Sequence, residues 1–127
     1  MSVYDAIREA NSLLPGPPHE NDPSRWQHII QIGEHIQSDA LAIWEFVERW
    51  GNHELEDLRD AIASVLLEHL LEYHFTKIFP SVERLVHQDQ RFADTFCRCW
   101  KFGRSEEPGN SEQFDRLQQV CEGLTAS

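Results

Sequence analysis

Four residues near the middle of the chain carry side chains suited to acid–base or metal chemistry: Glu68, His69, Glu72 and His74. An imidazole exchanges protons near neutral pH, and a neighbouring carboxylate can orient the ring or share a metal ion. On a helix Glu68 and Glu72 stand one turn apart, and His69 with Glu72 forms an i,i+3 pair that can touch. His69 itself lies about 100° round from Glu68. The spacing is not HExxH, and no second Glu-x-x-His helix completes a di-iron site. If the set were functional, His69 would be the base or ligand and Glu72 its orienting carboxylate. The preferred reading is a hydrogen-bonded, half-buried His69, and a small metal-dependent enzyme using His69, Glu68 and Glu72 is the alternative function.

Other reactive residues offer less. His28 and His35 are two helical turns apart, about 10 Å, too far to share an ion, and are expected at the surface. Cys97 and Cys99 are two apart on an expected helix, so their thiols point to opposite sides and cannot chelate one ion together. Arg98 and Lys101 beside Cys99 can lower a thiol pKa, which makes Cys99 the one to test for reactivity, although buried, inert cysteines are the plainer expectation. No Gly-rich phosphate loop and no nucleophile elbow is present. No catalytic residue, metal ligand or cofactor site is assigned.

The element that must position these residues runs from His53 to His74, the longest uninterrupted helical signal in the chain. It follows Gly51-Asn52, and Glu54, Glu56 and Asp57 crowd its first turns, where negative charge suits the helix dipole. At 100° per residue its polar side chains fall in one narrow line: Asp57, Asp60, Ser64, Glu68 and Glu72. Nearly all the remaining circumference is apolar, so the helix must be packed on more than one side. Arg59 and His69 point away from the acidic line.

The acidic line belongs to a wider asymmetry. Net charge is −11 from 11 basic and 22 acidic residues, which argues against nucleic acid as a partner. Between Glu34 and Glu72 ten acids face two bases, whereas between Lys77 and Arg104 six bases face three acids. The molecule is expected to be dipolar, its acidic surface either merely solvated or steering a partner. At 127 residues with four Trp and ordinary apolar content, the chain fits one helical domain, 1–127. No apolar run approaches the ~18 residues of a bilayer span, and no membrane partner is expected. The N-terminus lacks a signal-peptide pattern and the three cysteines show no framework spacing, so a reducing cytoplasm is expected.

Around the central element the chain reads as further helices. Ser2 caps the first, to Leu14, and the Pro15–Pro18 loop ends it. Asp22-Pro23 starts the second, to about Gln37, burying Trp26, Ile29, Ile30, Gly33 and Ile36, with Gly33 marking a close helix crossing. Ser38-Asp39 caps the third, which buries Ala40, Ile43, Trp44, Val47 and Trp50, turns Glu45 and Glu48 to water, and ends at Gly51. Pro80 forces the chain out of the central helix near Phe79. A short helix over 81–88 follows, then 90–102 with Trp100 in its apolar set, then a last helix from Asn110 or Ser111 to Glu122 that buries Phe114, Leu117, Val120 and Cys121 and stops at Gly123, with a frayed end. The aromatics Tyr73, Phe75, Phe79, Phe92, Phe96, Trp100 and Phe102 exceed what one corner needs. A subset flanked by Lys77, Arg91 and Arg98 could be an exposed binding patch.

Over residues 51–71, Leu58-Arg59, Ala61, Ala63, Leu66 and Leu67 after a helix ending in Gly resemble a HEAT-type helical repeat. The resemblance implies an α-α superhelix that binds proteins, with Arg59 as a structural clamp bridging to an acid in the preceding turn. That acid's place falls near His53 here, so Glu54 or Glu56 would have to substitute. The expectation is therefore an all-α fold, a compact α-α superhelical (HEAT-like) or irregular bundle of six to seven helices. Its expected function is non-enzymatic: an acidic protein–protein interaction module using Glu45, Glu48, Asp57, Asp60, Glu68 and Glu72 to dock a basic protein, such as an immunity-type inhibitor of a basic toxin or effector. A homodimer burying the aromatic corner is the third reading.

Overall fold

The computed structural model describes residues 1–19 and 21–125. Among them the chain forms six helical rods and a single 3-10 turn, with no strand. α1 (Val3–Leu13), α2 (Pro23–Gly33) and α3 (Ala40–Trp50) come first. The central rod is α4 (Glu56–Ala61), a π-helical stretch (Ile62–Leu67) and α5 (Glu68–Gln88) in unbroken succession. α6 (Gln90–Cys97), the 3-10 turn Gly103–Glu106 and α7 (Asn110–Thr125) complete the bundle. The all-α expectation holds.

Local signals explain the first helix starts. Ser2 accepts from the Asp5 N–H while Asp5 reaches back to the Ser2 backbone, a reciprocal capping box. Asp22 accepts from the Ser24 N–H, with Pro23 in the first helical turn. Asp39 precedes α3 but makes no cap bond; its carboxylate accepts instead from the Ser38 hydroxyl at 2.9 Å.

The π stretch is the centre of the core. Ile62, Ala63, Leu66 and Leu67 have no exposed surface, and α2, α3 and α6 all pack on this stretch. A Cβ on Gly33 would stand 3.0 Å from Val65 Cγ1, so α2 crosses the rod at the closeness its glycine allows. A π turn also takes more residues than an α turn, so side chains before and after it lose the alignment that 100° per residue implies.

Five expectations are corrected. The central rod does not end before Pro80: its break lies at His74 (φ −134°, ψ 38°), and the helix continues through Pro80 to Gln88. His74 Nε2–H donates to the Ile36 carbonyl (2.9 Å) and ties the break to α2's exit turn. Pro80 thus falls in the second turn after the break, and Thr76, whose carbonyl loses its usual donor, lies at the surface. The inner face of α2 is Arg25, Ile29 and Ile32, continued by Ile36; Ile30 is exposed. α6 stops at Cys97, because Gln118 of α7 donates to the carbonyls of Phe96 and Cys99 and satisfies the helix end there. α7 runs through Gly123 to Thr125 with Val120 exposed; the expected fraying at 126–127 lies outside the described residues. Gly51 ends α3 in ordinary right-handed geometry, and its lack of a side chain serves close packing, since a Cβ would stand 2.5 Å from the Val47 carbonyl oxygen and 3.0 Å from the Phe92 ring.

Candidate functional site

The acidic line of the central rod is covered by the chain's own residues 98–103. Arg98 Nη1–H donates to Asp60 (2.6 Å) and Nη2–H to Glu56 (3.0 Å), while Nε–H reaches Asp94 (3.1 Å). One turn on, the Cys99 thiol faces the Ala63 carbonyl, and the Trp100 N–H donates to Glu68 Oε2 at 2.8 Å. Phe102 then stacks on His69 with centroids 5.6 Å apart, and Gly103 (φ +50°) presses on Glu72, where a Cβ would come within 2.7 Å of its Cγ. The basic and acidic segments read as a dipole therefore meet inside the molecule. Burial opposes the Arg98 charge, and its bonds to Asp60 and Glu56 overcome that, leaving its pKa raised.

The sequence-derived candidates separate accordingly. Asp57 is buried, not on an exposed line, and accepts from the Arg25 Nε–H at 2.9 Å. Glu68 is also buried, beneath residues 98–103, whose Trp100 N–H bonds its carboxylate. That burial lifts its carboxyl above the usual range, opposed by the Trp100 N–H. Asp60 keeps about half its surface and Glu72 about a quarter. Glu45 and Glu48 are exposed on α3, and among the described residues neither has an ion-pair partner.

His69 and Glu72 do touch: Nδ1–H donates to Oε1 at 2.7 Å, with His69 half-exposed. Glu68 stays out of this pair, its carboxylate held by Trp100. His74 stands at the break itself, held by the Ile36 carbonyl. Among the described residues no three His, Cys, Asp or Glu side chains are grouped to hold a metal ion.

Arg59 clamps, but not as the resemblance implies. It meets Asp94 of α6 (Nη2 to Oδ2, 3.1 Å) and donates to the carbonyls of His53 (2.7 Å) and Glu54 (3.0 Å). The acid comes from another helix, and backbone oxygens take the place of Glu54 and Glu56 carboxylates. Cys99 is buried, in keeping with the plainer expectation, and burial pushes its thiol well above the usual range, against activation by Arg98 and Lys101. Both of those cations face carboxylates instead, Lys101 meeting Asp115 at 2.9 Å.

Of the aromatic set, Phe75, Phe79, Phe92 and Phe96 are core, while Tyr73 (41%), Phe102 (39%) and above all Trp100 (73%) are exposed. Sequence reasoning placed Trp100 inward on a helix that in fact ends three residues earlier. Tyr4 (65%) and Leu41 (57%), on α1 and α3, are also exposed. Tyr4 lines one groove with Ala42 and Glu45 and a second with Leu41 and Ala42. The alternation along α1 and α3 leaves Tyr4 and Leu41 outside the buried stripes, a signal the sequence does carry.

Compared with known proteins, the chain matches no family model, and no curated relative or solved structure is similar to it.

Proposed function

We propose that the protein is a non-enzymatic, acidic interaction module that docks a basic protein partner in the cytoplasm. One observation carries the reading. Glu45 and Glu48 stand exposed on α3 without ion-pair partners among the described residues, beside the exposed Tyr4 and Leu41. Unpaired carboxylates beside an aromatic side chain offer both steering charge and apolar contact area. Asp60, about half exposed, can add to the field; Asp57 and Glu68 are enclosed, and Glu72 faces His69 and Gly103. The specific form of this reading is an immunity-type inhibitor, a small acidic protein that caps a toxin enzyme such as a nuclease. The HEAT-type resemblance over residues 51–71 supports the same job, since such helices bind proteins. The enzymatic alternative has less support, because Glu68 is turned away from the His69–Glu72 pair.

The test is co-purification with a basic protein encoded beside this gene, using wild type and Glu45→Lys/Glu48→Lys. Both positions are exposed, so the variant keeps its fold. Loss of capture with an unchanged circular dichroism spectrum supports the reading. Undiminished capture, or a neighbour that never binds, overturns it.

A further inference from the structure

We infer that His53 is an acid-sensitive latch at the start of the central rod, its neutral ring holding the Leu55 N–H and its protonated ring releasing it. This goes beyond the docking reading and does not depend on what α3 binds.

The corner between α3 and the rod is fixed by donors from α4 and α6. The Gly51 carbonyl accepts from the Thr95 hydroxyl, and that of Asn52 from Arg91 Nη1–H at 3.3 Å. The carbonyls of His53 (2.7 Å) and Glu54 (3.0 Å) both accept from Arg59 Nη1–H. Four successive carbonyls thus pin the backbone, and with it the place of the His53 ring. That ring lies against the Trp50 indole, centroids 5.8 Å apart, and the indole N–H is tied to Asn11 of α1 at 2.8 Å.

In this setting His53 Nδ1 accepts the Leu55 N–H at 3.1 Å. Leu55 is the N-cap of α4, and its own side chain makes no cap bond. The imidazole therefore fastens the residue from which the rod departs, as an Asn or Asp side chain does in an Asx turn. An accepting Nδ1 also fixes the tautomer, with the neutral ring's proton on Nε2. A second proton, on Nδ1, sets one donor against another and breaks the bond.

The surroundings of the ring favour its neutral form. Burial opposes the charge most, and Arg25 of α2, Arg91 of α6 and Arg59 of α4 add to it, against Glu54 alone, so the imidazole pKa is lowered. Arg49 of α3 is a further cation nearby, 5.3 Å from the Trp50 ring centroid. The carboxylates Asp57, Asp94 and Asp89 face Arg25, Arg59 and Arg91 and offset part of their charge. As pH falls, the unfolded chain takes up the proton first, around 6.5. The latch contributes in full above that value and is lost as pH falls through the lower folded one.

The test follows the full chain by nitrogen–proton spectroscopy between pH 7.5 and pH 4.5. At pH 7.5 the His53 ring should show a bare Nδ1 and a protonated Nε2. The Leu55 amide signal should then move with the same midpoint as the His53 ring, below 6.5. Protection of that amide, corrected for the pH dependence of exchange itself, should fall about fivefold across the transition, the loss of one capping-type bond. His53→Asn offers a carbonyl oxygen to the same N–H at every pH, so its Leu55 protection should stay level; His53→Ala should show the low value already at pH 7.5. A proton on Nδ1 at pH 7.5, a His53 midpoint at or above 6.5, or a Leu55 amide that ignores the His53 titration overturns the inference. So does a His53→Asn variant that loses Leu55 protection with pH as wild type does.

Discussion

The Arg25 Nε–H donates to Asp57 Oδ2 across 2.9 Å, and the arginine has no exposed surface at all. The same guanidinium donates to the carbonyls of Pro15 (2.8 Å) and Pro17 (2.6 Å), and to that of His19. The proline-rich loop is therefore wrapped round one side chain of α2, and Asp57 fastens that side chain to the central rod. Arg25→Ala would take the paired cation from buried Asp57, which keeps the Asp22 N–H, and the donor from three carbonyls, at a cost of about 3–5 kcal/mol in denaturant unfolding. Arg25→Lys should recover less than roughly half of this, because one ammonium cannot match a planar fork to four acceptors. A cost under about 1 kcal/mol for Arg25→Ala would show that the cradle is not structural.

That pair also shows why the sequence was legible only in part. Helix number, the Ser2 and Asp22 caps and the Gly33 crossing follow from local chemistry and were readable. Arg25 was not, because a lone arginine on a helix reads as a solvated residue until its acceptors, in the preceding loop and on the central rod, are known. The acidic line failed for a related reason: Glu68 is buried by residues 98–103, and no periodicity on its own helix reports what another segment lays over it. Pro80 was read locally, whereas the break falls six residues earlier at His74. Glu45 and Glu48 were placed correctly because nothing covers them.

Glu68 should make stability depend on pH in an unusual direction. Burial raises its carboxyl pKa in the folded state, so the native protein holds the proton more tightly than the unfolded chain does. The penalty for the buried charge is absent well below pH 4.5, where both states are protonated, and develops as pH rises through that value toward the higher native one. Glu68→Gln keeps an oxygen for the Trp100 N–H and removes the charge. Its melting temperature should exceed wild type at pH 7 and match it near pH 4. A variant less stable than wild type at pH 7 would mean that the ionised carboxylate is worth more to Trp100 than its burial costs.

Gly103 carries residues 98–103 onto α5. Its φ of +50° disfavours any side chain, and a Cβ there would stand 2.7 Å from Glu72 Cγ and 3.0 Å from the Glu72 carbonyl. Gly103→Ala should cost about 1–3 kcal/mol and lift Phe102 from His69. Loss of the ring-current shifts on the His69 protons would report the second effect directly. Unchanged stability and shifts would show that the contact is not needed.

The thiols should be slow in the folded protein. Cys99 and Cys121 are buried, Cys97 is partly covered, and burial raises the pKa of all three. A thiol-specific disulfide reagent at pH 8 should label Cys97 slowly, leave Cys99 and Cys121 untouched, and reach all three only in denaturant. Rapid native-state labelling assigned to Cys99 by mass spectrometry would restore the idea that Arg98 and Lys101 activate it.

Arg98 is ion-paired with three carboxylates at once, Glu56, Asp60 and Asp94, all within 3.1 Å. Arg98→Ala would take a shared cation from three carboxylates, Arg59 remaining bonded to Asp94. Two of the acids are about half exposed or more, so water screens much of the repulsion, and the loss should be about 1–2 kcal/mol rather than the full cost of a buried pair. Adding Asp60→Asn to that variant should recover part of it, since the second change removes a repelling charge. The recovery should shrink as salt is raised, because the contact is open to counterions. A double variant as unstable as the sum of its parts would mean that Arg98 acts through packing alone.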